Sequence, residues 1–430
     1  MSAARPPLPP GPYLVVGLAR SGRAAVDMLR GHGEVIATDS SDPEPPKGVE
    51  AHLGTDGVEL LERAACVVKS PGVPAEAPVI AAARERSIPV HGELELAWRL
   101  LPNRFVAVTG TNGKTTTAEL LGAIHRAGGV DVAVAGNVGT PLSSLAGALD
   151  PGAVVVCEAS SFQLEDASEF APETALLLNL EEDHLDRHGS VEAYRDAKLR
   201  IFARQGEDDA AVAPPGLAFE TRARRVTFGL PGSDLEPVGA ALAWQGERFI
   251  EASEIRLRGA HNLENVMGAA AAALASGLPA AAVAEALRSF AGVPHRLEEV
   301  ATRHGVLYVN DSKATNVAAA RRGIEAFEGG VHAILGGSLK GGGFEGLREA
   351  VSRRCRACYL IGEAAARLAE DLAGAAALVP CGDLESAVEA ASAAARPGEV
   401  VLLSPACASY DQYRDFEERG EEFRRLSARA

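Results

Sequence analysis

The stretch Phe105-Val-Ala-Val-Thr-Gly110-Thr-Asn-Gly-Lys114-Thr-Thr-Thr117 constrains this chain more than any other. An apolar run stops at a glycine-flanked turn and is followed by Lys-Thr-Thr, which reads as strand, phosphate loop and helix, the opening of an α/β unit. Backbone amides of Gly110, Thr111, Asn112 and Gly113 can face a polyphosphate, Lys114 supplies a point charge, and Thr115, beside Thr116, supplies a hydroxyl for Mg²⁺. ATP is the expected guest. The usual phosphate loop has four residues between its first glycine and its Gly-Lys pair, whereas Gly110 and Gly113 are separated by two, so the match is imperfect. A plain glycine-rich turn with a solvated lysine would share the same local sequence.

A chain of 430 residues exceeds what one hydrophobic core serves, and three domains are expected, over 1–92, 93–293 and 294–430. Lys+Arg 42 against Asp+Glu 58 gives 42 − 58 = −16, and no block of basic residues is present. That balance argues against nucleic-acid and anionic-membrane partners, while local positive groups can still hold anionic metabolites. Six scattered cysteines do not make a disulfide scaffold and fit a reducing, cytoplasmic setting. Cys355-Arg-Ala-Cys358 precedes an apolar strand-like run without a second such pair, so a structural role is expected. The proline-rich start, Met1 to Pro12, reads as a frayed tail. Val266 to Leu287 is alanine-rich but broken by Gly277-Leu-Pro279, which predicts two packed helices and no membrane insertion. A monomer is expected.

In the first domain, strands at Tyr13–Val16, 34–38 and Cys66–Lys69 each end in a loop: Gly17-Leu-Ala-Arg20-Ser21-Gly22, Asp39, and Ser70-Pro-Gly72. Ala19 stands where a dinucleotide loop needs its second glycine for close approach of a pyrophosphate, which weakens a nicotinamide-dehydrogenase reading. A nucleotide-sugar phosphate at the helix start after Ser21, with Asp39 accepting from a uridine or ribose group, remains open beside a plain βαβ turn.

After the phosphate loop, strands end at Gly136-Asn137, at Glu158, and at Asn179. Glu158, delivered to the carboxyl end of its strand, complements Thr115 as a Mg²⁺ ligand. His184 and His188 have helical spacing, but Leu185 replaces the glutamate of a zinc-protease motif. Asn262 and Asn265 open the alanine-rich helix and could read an adenine edge. In the last domain, strand–helix alternation recurs, and Arg296, Asp311 and Lys313 form a charged cluster that could reach an ATP held by the middle domain.

Taken together, Gly110 to Thr116, Glu158-Ala-Ser-Ser-Phe-Gln-Leu-Glu165, Asn179 to Arg187, Tyr194 to Phe202, Gly259 to Asn265, Pro294-His-Arg296, Asn310 to Asn316 and Leu403 to Ser409 resemble the Mur ligase family, in family order and over most of the chain. The resemblance accounts for the variant loop. It implies an α/β fold of three domains: an N-terminal Rossmann-like domain, a central P-loop ATPase-like parallel sheet and a C-terminal Rossmann-like domain. The implied reaction is ATP- and Mg²⁺-dependent amide ligation through an acyl phosphate in peptidoglycan precursor synthesis. The Ser160-Ser-Phe-Gln-Leu-Glu165 and Ser404-Pro-Ala-Cys-Ala-Ser409 stretches point to D-glutamate addition to UDP-N-acetylmuramoyl-L-alanine. By resemblance, Arg20, Ser21, Asp39, Ser70, Asn137, Ser160 and Gln163 take the UDP-substrate, Asn265, Arg296, Asp311 and Lys313 help hold ATP, and Thr315, Lys340, Ser409 and Phe416 grip D-glutamate. Lys114, Glu158, His184 and Lys198 are the implied catalytic group, with Thr115, Glu158, His184 and a carbamylated Lys198 around the metal. A silent nucleotide-binding module would be expected to lose Lys114, Glu158 or Lys198. A sibling ligase for another amino acid, or a folylpolyglutamate synthetase, is not excluded by the residues alone.

Overall fold

The computed structural model describes residues 5–257, 260–339 and 342–430. These fall into two compact units, Met1–Phe290 and Ala291–Ala430.

The first unit is built on two parallel sheets. One has the strand order Glu50–Leu53, Val35–Asp39, Tyr13–Val16, Cys66–Lys69, Val90–Gly92. Its three inner strands are the apolar runs legible in the sequence. The two edge strands are not, because His52, His91 and Gly92 interrupt any apolar pattern there. In the second sheet the order is Arg224–Thr227, Ala210–Ala213, Thr174–Leu177, Arg104–Thr109, Val154–Glu158, Val132–Gly136. Here the phosphate-loop strand lies in the middle, with Val108 opposite Glu158 and Thr109 opposite Leu177. Three strands therefore bring their carboxyl ends side by side, which is where parallel sheets collect ligands.

The helix Lys114–Ala127 follows the loop and packs against helices Ala260–Ala275 and Ala280–Ser289. Leu120, Leu121 and Ile124 meet Val266 and Ala269–Ala273 in one apolar cluster. The alanines let the helix axes approach closely, so the alanine-rich run is a packed helix pair, parted at the predicted Gly277-Leu278-Pro279 break. Among the described residues no helix is long and apolar enough to cross a membrane. A second cluster runs from Val15 and Val68 of the first sheet through Leu94, Ala97 and Trp98 to Phe105, Val155 and Phe170 of the second. That shared core joins the two sheets into one unit. A three-stranded antiparallel sheet, Leu235–Val238, Ala241–Trp244 and Glu247–Glu251, completes it.

The proline-rich start differs from the frayed tail expected. Arg5 donates to the Trp98 carbonyl (2.9 Å) and the Asn103 carbonyl (2.5 Å), and its guanidinium lies 5.0 Å from the ring centroids of both Trp98 and Phe105. The Tyr13 hydroxyl donates to the Pro9 carbonyl and Arg99 to that of Pro7. A cation buried between two aromatic faces anchors a segment that composition alone makes look loose. Residues 1–4 lie outside the described residues.

The second unit carries one six-stranded sheet, in the order Glu298–Arg303, Val306–Asn310, Val400–Leu403, Val331–Gly336, Cys355–Ile361, Ala377–Gly382. Five strands are parallel and match the predicted alternation; the edge strand Glu298–Arg303 is antiparallel and was missed, since it carries three charges in six residues. Cys355 and Cys358 are free thiols at the start of an inner strand.

Candidate functional site

The phosphate loop is held from below. Gly113 is left-handed (φ +80°) and caps the helix Lys114–Ala127, which has no acidic residue in its first turn and no side-chain cap, so its first amides are available to an anion. A side chain at Gly113 would meet Asn265 Oδ1 at 2.0 Å; Asn265 is packed directly behind the loop and donates to Asn262 Oδ1 (3.3 Å). On the other flank the Asn112 amide donates to Asn179 Oδ1 (2.9 Å), and the Thr111 amide donates to the Asn179 carbonyl (3.1 Å). Asn112 Nδ2 donates to Glu181 at 2.9 Å, and the Thr111 hydroxyl accepts from Glu181 N and from the Tyr194 hydroxyl, both at 3.0 Å. Thr115 and Thr116 are buried in the first helical turn.

Two lysines share one carbonyl. Lys114 Nζ folds back to donate to Gly110 O (3.0 Å) and Thr111 O (3.1 Å), while Lys198 Nζ, from helix Val191–Ala203, donates to Gly110 O at 2.7 Å. Lys198 is 2% exposed and its ammonium lies 4.7 Å from the Tyr194 ring centroid. Burial, then the neighbouring Lys114 charge, push its pKa down to about 7, partly opposed by Asp183. Glu158 is also buried, at the end of its strand, and accepts from Asn137 Nδ2 at 3.2 Å. His184 takes the left-handed region (φ +52°) and is exposed, with its ring 4.9 Å from that of Phe162 and 6.2 Å from that of Tyr194. Among the described residues no three of His, Cys, Asp and Glu gather in metal-binding geometry. The donor set at the loop is instead a hydroxyl, Thr115, and a carboxylate, Glu158. These are hard oxygen donors, of the kind that would hold Mg²⁺.

A cleft of about 660 Å³ opens at the carboxyl end of the first sheet, and Arg20, Ser21, Asp39, Ser70, Asn137 and Gln163 all line it. The helix Arg20–Leu29 enters it with an N-cap that is alanine and no acid in its first turn. Asp39 accepts from the Leu18 amide (2.6 Å) and from Ser41 N and Oγ; burial alone would raise its pKa, but these donors outweigh it and keep the carboxylate ionised below its ordinary range. Ser70 Oγ donates to the Gly17 carbonyl at 2.7 Å. Ser160 is not part of the wall: it caps the helix Ser161–Leu164, with the Gln163 amide donating to its hydroxyl and its own amide donating to Gln163 Oε1.

In the second unit, Thr315, Ser409 and Phe416 sit on three segments tied together by Arg419, which carries no local sequence signal. Arg419 is 1% exposed and donates to Ser312 Oγ and to the carbonyls of Ser312, Cys407, Ala408 and Gly336. Ser312 Oγ donates in turn to the Phe416 carbonyl (2.8 Å), and Lys313 Nζ lies 5.6 Å from the Phe416 ring centroid. Lys340 lies outside the described residues.

Asp311 is buried beneath this group, accepting from Ser404 Oγ (2.7 Å) and the Leu297 amide (3.3 Å). Burial pushes its pKa up to about 7, with Ser404, Leu297 and the Arg296 charge pulling the other way. The folded state thus holds this proton more tightly than an unfolded chain does, so the group's cost is full above about pH 7 and is relieved as pH falls toward 3.8. Asp311→Asn is expected to flatten the decline in urea midpoint between pH 5 and 8; an unchanged slope would remove Asp311 as its source.

Family models match three segments: "Mur ligase MurD-like, N-terminal domain" over 12–92, "Mur ligase middle domain" over 108–273, and "Mur ligase, glutamate ligase domain" over 295–407. The chain is 42% identical over 440 residues to the UDP-N-acetylmuramoylalanine--D-glutamate ligase of Acidobacterium capsulatum, covering 96% of this chain and 95% of that one. It is 43% identical over 450 residues to the protein of the same name from Anaeromyxobacter dehalogenans, covering 96% of each. Among solved structures, UDP-N-acetylmuramate-alanine ligase MurC from Thermotoga maritima superposes with a TM-score of 0.60 at 18% identity, over 98% of this chain and 100% of that one. MurF ligase from Thermotoga maritima in complex with ADP gives 0.57 at 19%, over 98% and 96%.

Proposed function

The chain belongs to the Mur ligase family, and from that premise we propose that it joins D-glutamate to UDP-N-acetylmuramoyl-L-alanine at the expense of ATP. The observation that carries this reading is the pairing of a nucleotide-sized cleft with a phosphate loop in one compact unit, in a chain about 40% identical to named D-glutamate ligases over nearly its full length. In the reaction, a carboxylate oxygen of the alanyl group attacks the γ-phosphorus, ADP leaves, and the D-glutamate amine displaces phosphate from the acyl carbon to give an amide.

Two anions must meet, so the protein's work is charge handling and positioning. Arg20 and the helix start at Ser21 take the diphosphate, and Asp39 accepts from the uridine or ribose. Asn137 spans cleft and Glu158, so it orients the carboxylate that, with Thr115, would hold Mg²⁺. Bound there, Mg²⁺ would offset the charge that builds on the phosphate oxygens. Lys114 turns from the Gly110 and Thr111 carbonyls to the triphosphate. Lys198, whose pKa burial lowers to about 7, would take up CO₂ through its neutral amine, release a proton and, as a carbamate, supply an anion that with His184 would help hold the metal. Asn265 supports adenine binding. Thr315, Lys340, Ser409 and Phe416 receive D-glutamate.

Phosphate release measured with UDP-N-acetylmuramoyl-L-alanine, ATP and a panel of D-glutamate, L-glutamate, L-lysine and diaminopimelate tests the reading. Turnover only with another acceptor would overturn it. Lys340→Ala is expected to raise the KM for D-glutamate by about 100-fold, the worth of a charge-assisted bond, with the KM for ATP changed less than about threefold. Equal rises in both constants would take Lys340 off the D-glutamate carboxylate.

A further inference from the structure

A buried ionic junction connects the wall of the cleft to the phosphate loop. Lys69 is the last residue of strand Cys66–Lys69, so the chain passes from it directly into Ser70, Pro71, Gly72 and Val73 of the cleft wall. Its side chain is 0% exposed. Lys69 Nζ donates to the Val73 carbonyl (3.1 Å) and to Glu165 Oε1 (3.1 Å), and lies 2.7 Å from Asp166 Oδ2. Arg187 donates to two of the same acceptors, Val73 O at 2.9 Å and Glu165 Oε1 at 2.5 Å, with its guanidinium 5.1 Å from the Phe162 ring centroid. The next residue, His188, hydrogen-bonds Ser161 Oγ (3.0 Å) and stacks on Phe162 and near Tyr194. Tyr194 in turn holds Thr111 of the phosphate loop and lies against Lys198. The contacts therefore run without a gap from the cleft wall to the loop.

A buried ion pair seldom stabilises a fold more than apolar packing would, but its directional bonds fix distances between the segments it joins. We propose that Lys69 is a positioning residue for the ligation: it fixes the Ser70–Val73 wall to the Glu165–Arg187 side, so that the nucleotide-sugar ligand presents its reactive end to the phosphate loop. This rests on the ligase reading above. A purely structural Lys69 would affect every substrate alike, whereas a positioning one acts on the ligand of the wall it carries.

The test compares wild type with the double variant Lys69→Met, Asp166→Asn, which removes one cation and one anion and leaves Glu165 paired with Arg187. The double variant is expected to remain folded, with the KM for UDP-N-acetylmuramoyl-L-alanine raised about tenfold or more, kcat lowered, and the KM values for ATP and D-glutamate within about twofold of wild type. A folded double variant with an unchanged KM for the UDP-substrate, or with all three KM values raised by one factor, overturns the proposal. Should it not fold, Asp166→Asn alone, which weakens the ammonium's hold without removing it, is expected to raise the same KM about threefold, and no selective change overturns the proposal. A wild-type enzyme without turnover would overturn the ligase reading instead; calorimetric affinity for UDP-N-acetylmuramoyl-L-alanine, compared between wild type and variant, then decides the role of Lys69.

Discussion

Replacing Lys114 with alanine is expected to lower kcat by about 10³-fold or more while the thermal unfolding temperature stays within a few degrees. Among the described residues Lys114 is not part of the apolar clusters. Its ammonium rests on the Gly110 and Thr111 carbonyls, contacts that a phosphate can replace without disturbing the helix it begins. Neighbouring Lys198 already crowds the same carbonyl, so removing Lys114 relieves repulsion in the resting enzyme and withdraws charge only where the triphosphate needs it. Loss of a charge aimed at developing negative charge costs several kcal/mol in a water-poor site, on the order of 4 kcal/mol for 10³-fold. Steady-state phosphate release with circular dichroism melting checks both halves. Unchanged turnover would take ATP chemistry away from this loop.

Lys198→Ala is expected to be nearly inactive, to regain part of its activity with acetate, and not to be restored by Lys198→Arg. Burial and the Lys114 charge depress this lysine to about pH 7, so above that pH the neutral amine predominates. On the carbamate reading proposed above, the neutral amine would capture CO₂, losing a proton and gaining a carboxylate, and the sign of its charge would invert. An arginine keeps its positive charge and cannot do this, whereas acetate supplies the missing carboxylate. Wild-type activity after equilibration with bicarbonate is accordingly expected to rise as pH increases through about 7 and to fall below it. Near wild-type turnover by Lys198→Ala would leave this residue a spacer against Tyr194. The depressed pKa also means that the ammonium form costs folding free energy below about pH 7, a cost relieved as pH rises toward 10.5, so Lys198→Met is expected to do no harm to stability at pH 6.

Gly110 to Thr116 was legible because the chemistry of a phosphate loop is local: two glycines, a lysine and a hydroxyl within seven residues. The inner strands were legible for a similar reason, since a strand buried on both faces is an unbroken apolar run such as Val106–Val108 or Val401–Leu403. The edge strands Glu50–Leu53, Val90–Gly92 and Glu298–Arg303 carry no such run and went unseen, whereas the edge strands Val132–Gly136 and Ala377–Gly382 begin with apolar residues and were legible. The anchoring of Arg5 also escaped notice, because its aromatic partners lie more than ninety residues away.

By itself the sequence determined the class of fold, the phosphate-loop motif and the family, because each is carried by short stretches whose residues act near one another along the chain. Tertiary structure alone decided that Lys114 and Lys198 converge on the Gly110 carbonyl, that Arg20, Asp39, Asn137 and Gln163 face one cleft, and that Lys69 meets Glu165 across 96 residues. A lysine on an amphipathic helix and a lysine at a strand end look alike in a sequence. Only the burial that the packed sheets impose separates a solvated ammonium from one held near neutrality or locked between carboxylates, because desolvation depends on what the rest of the chain places around the charge.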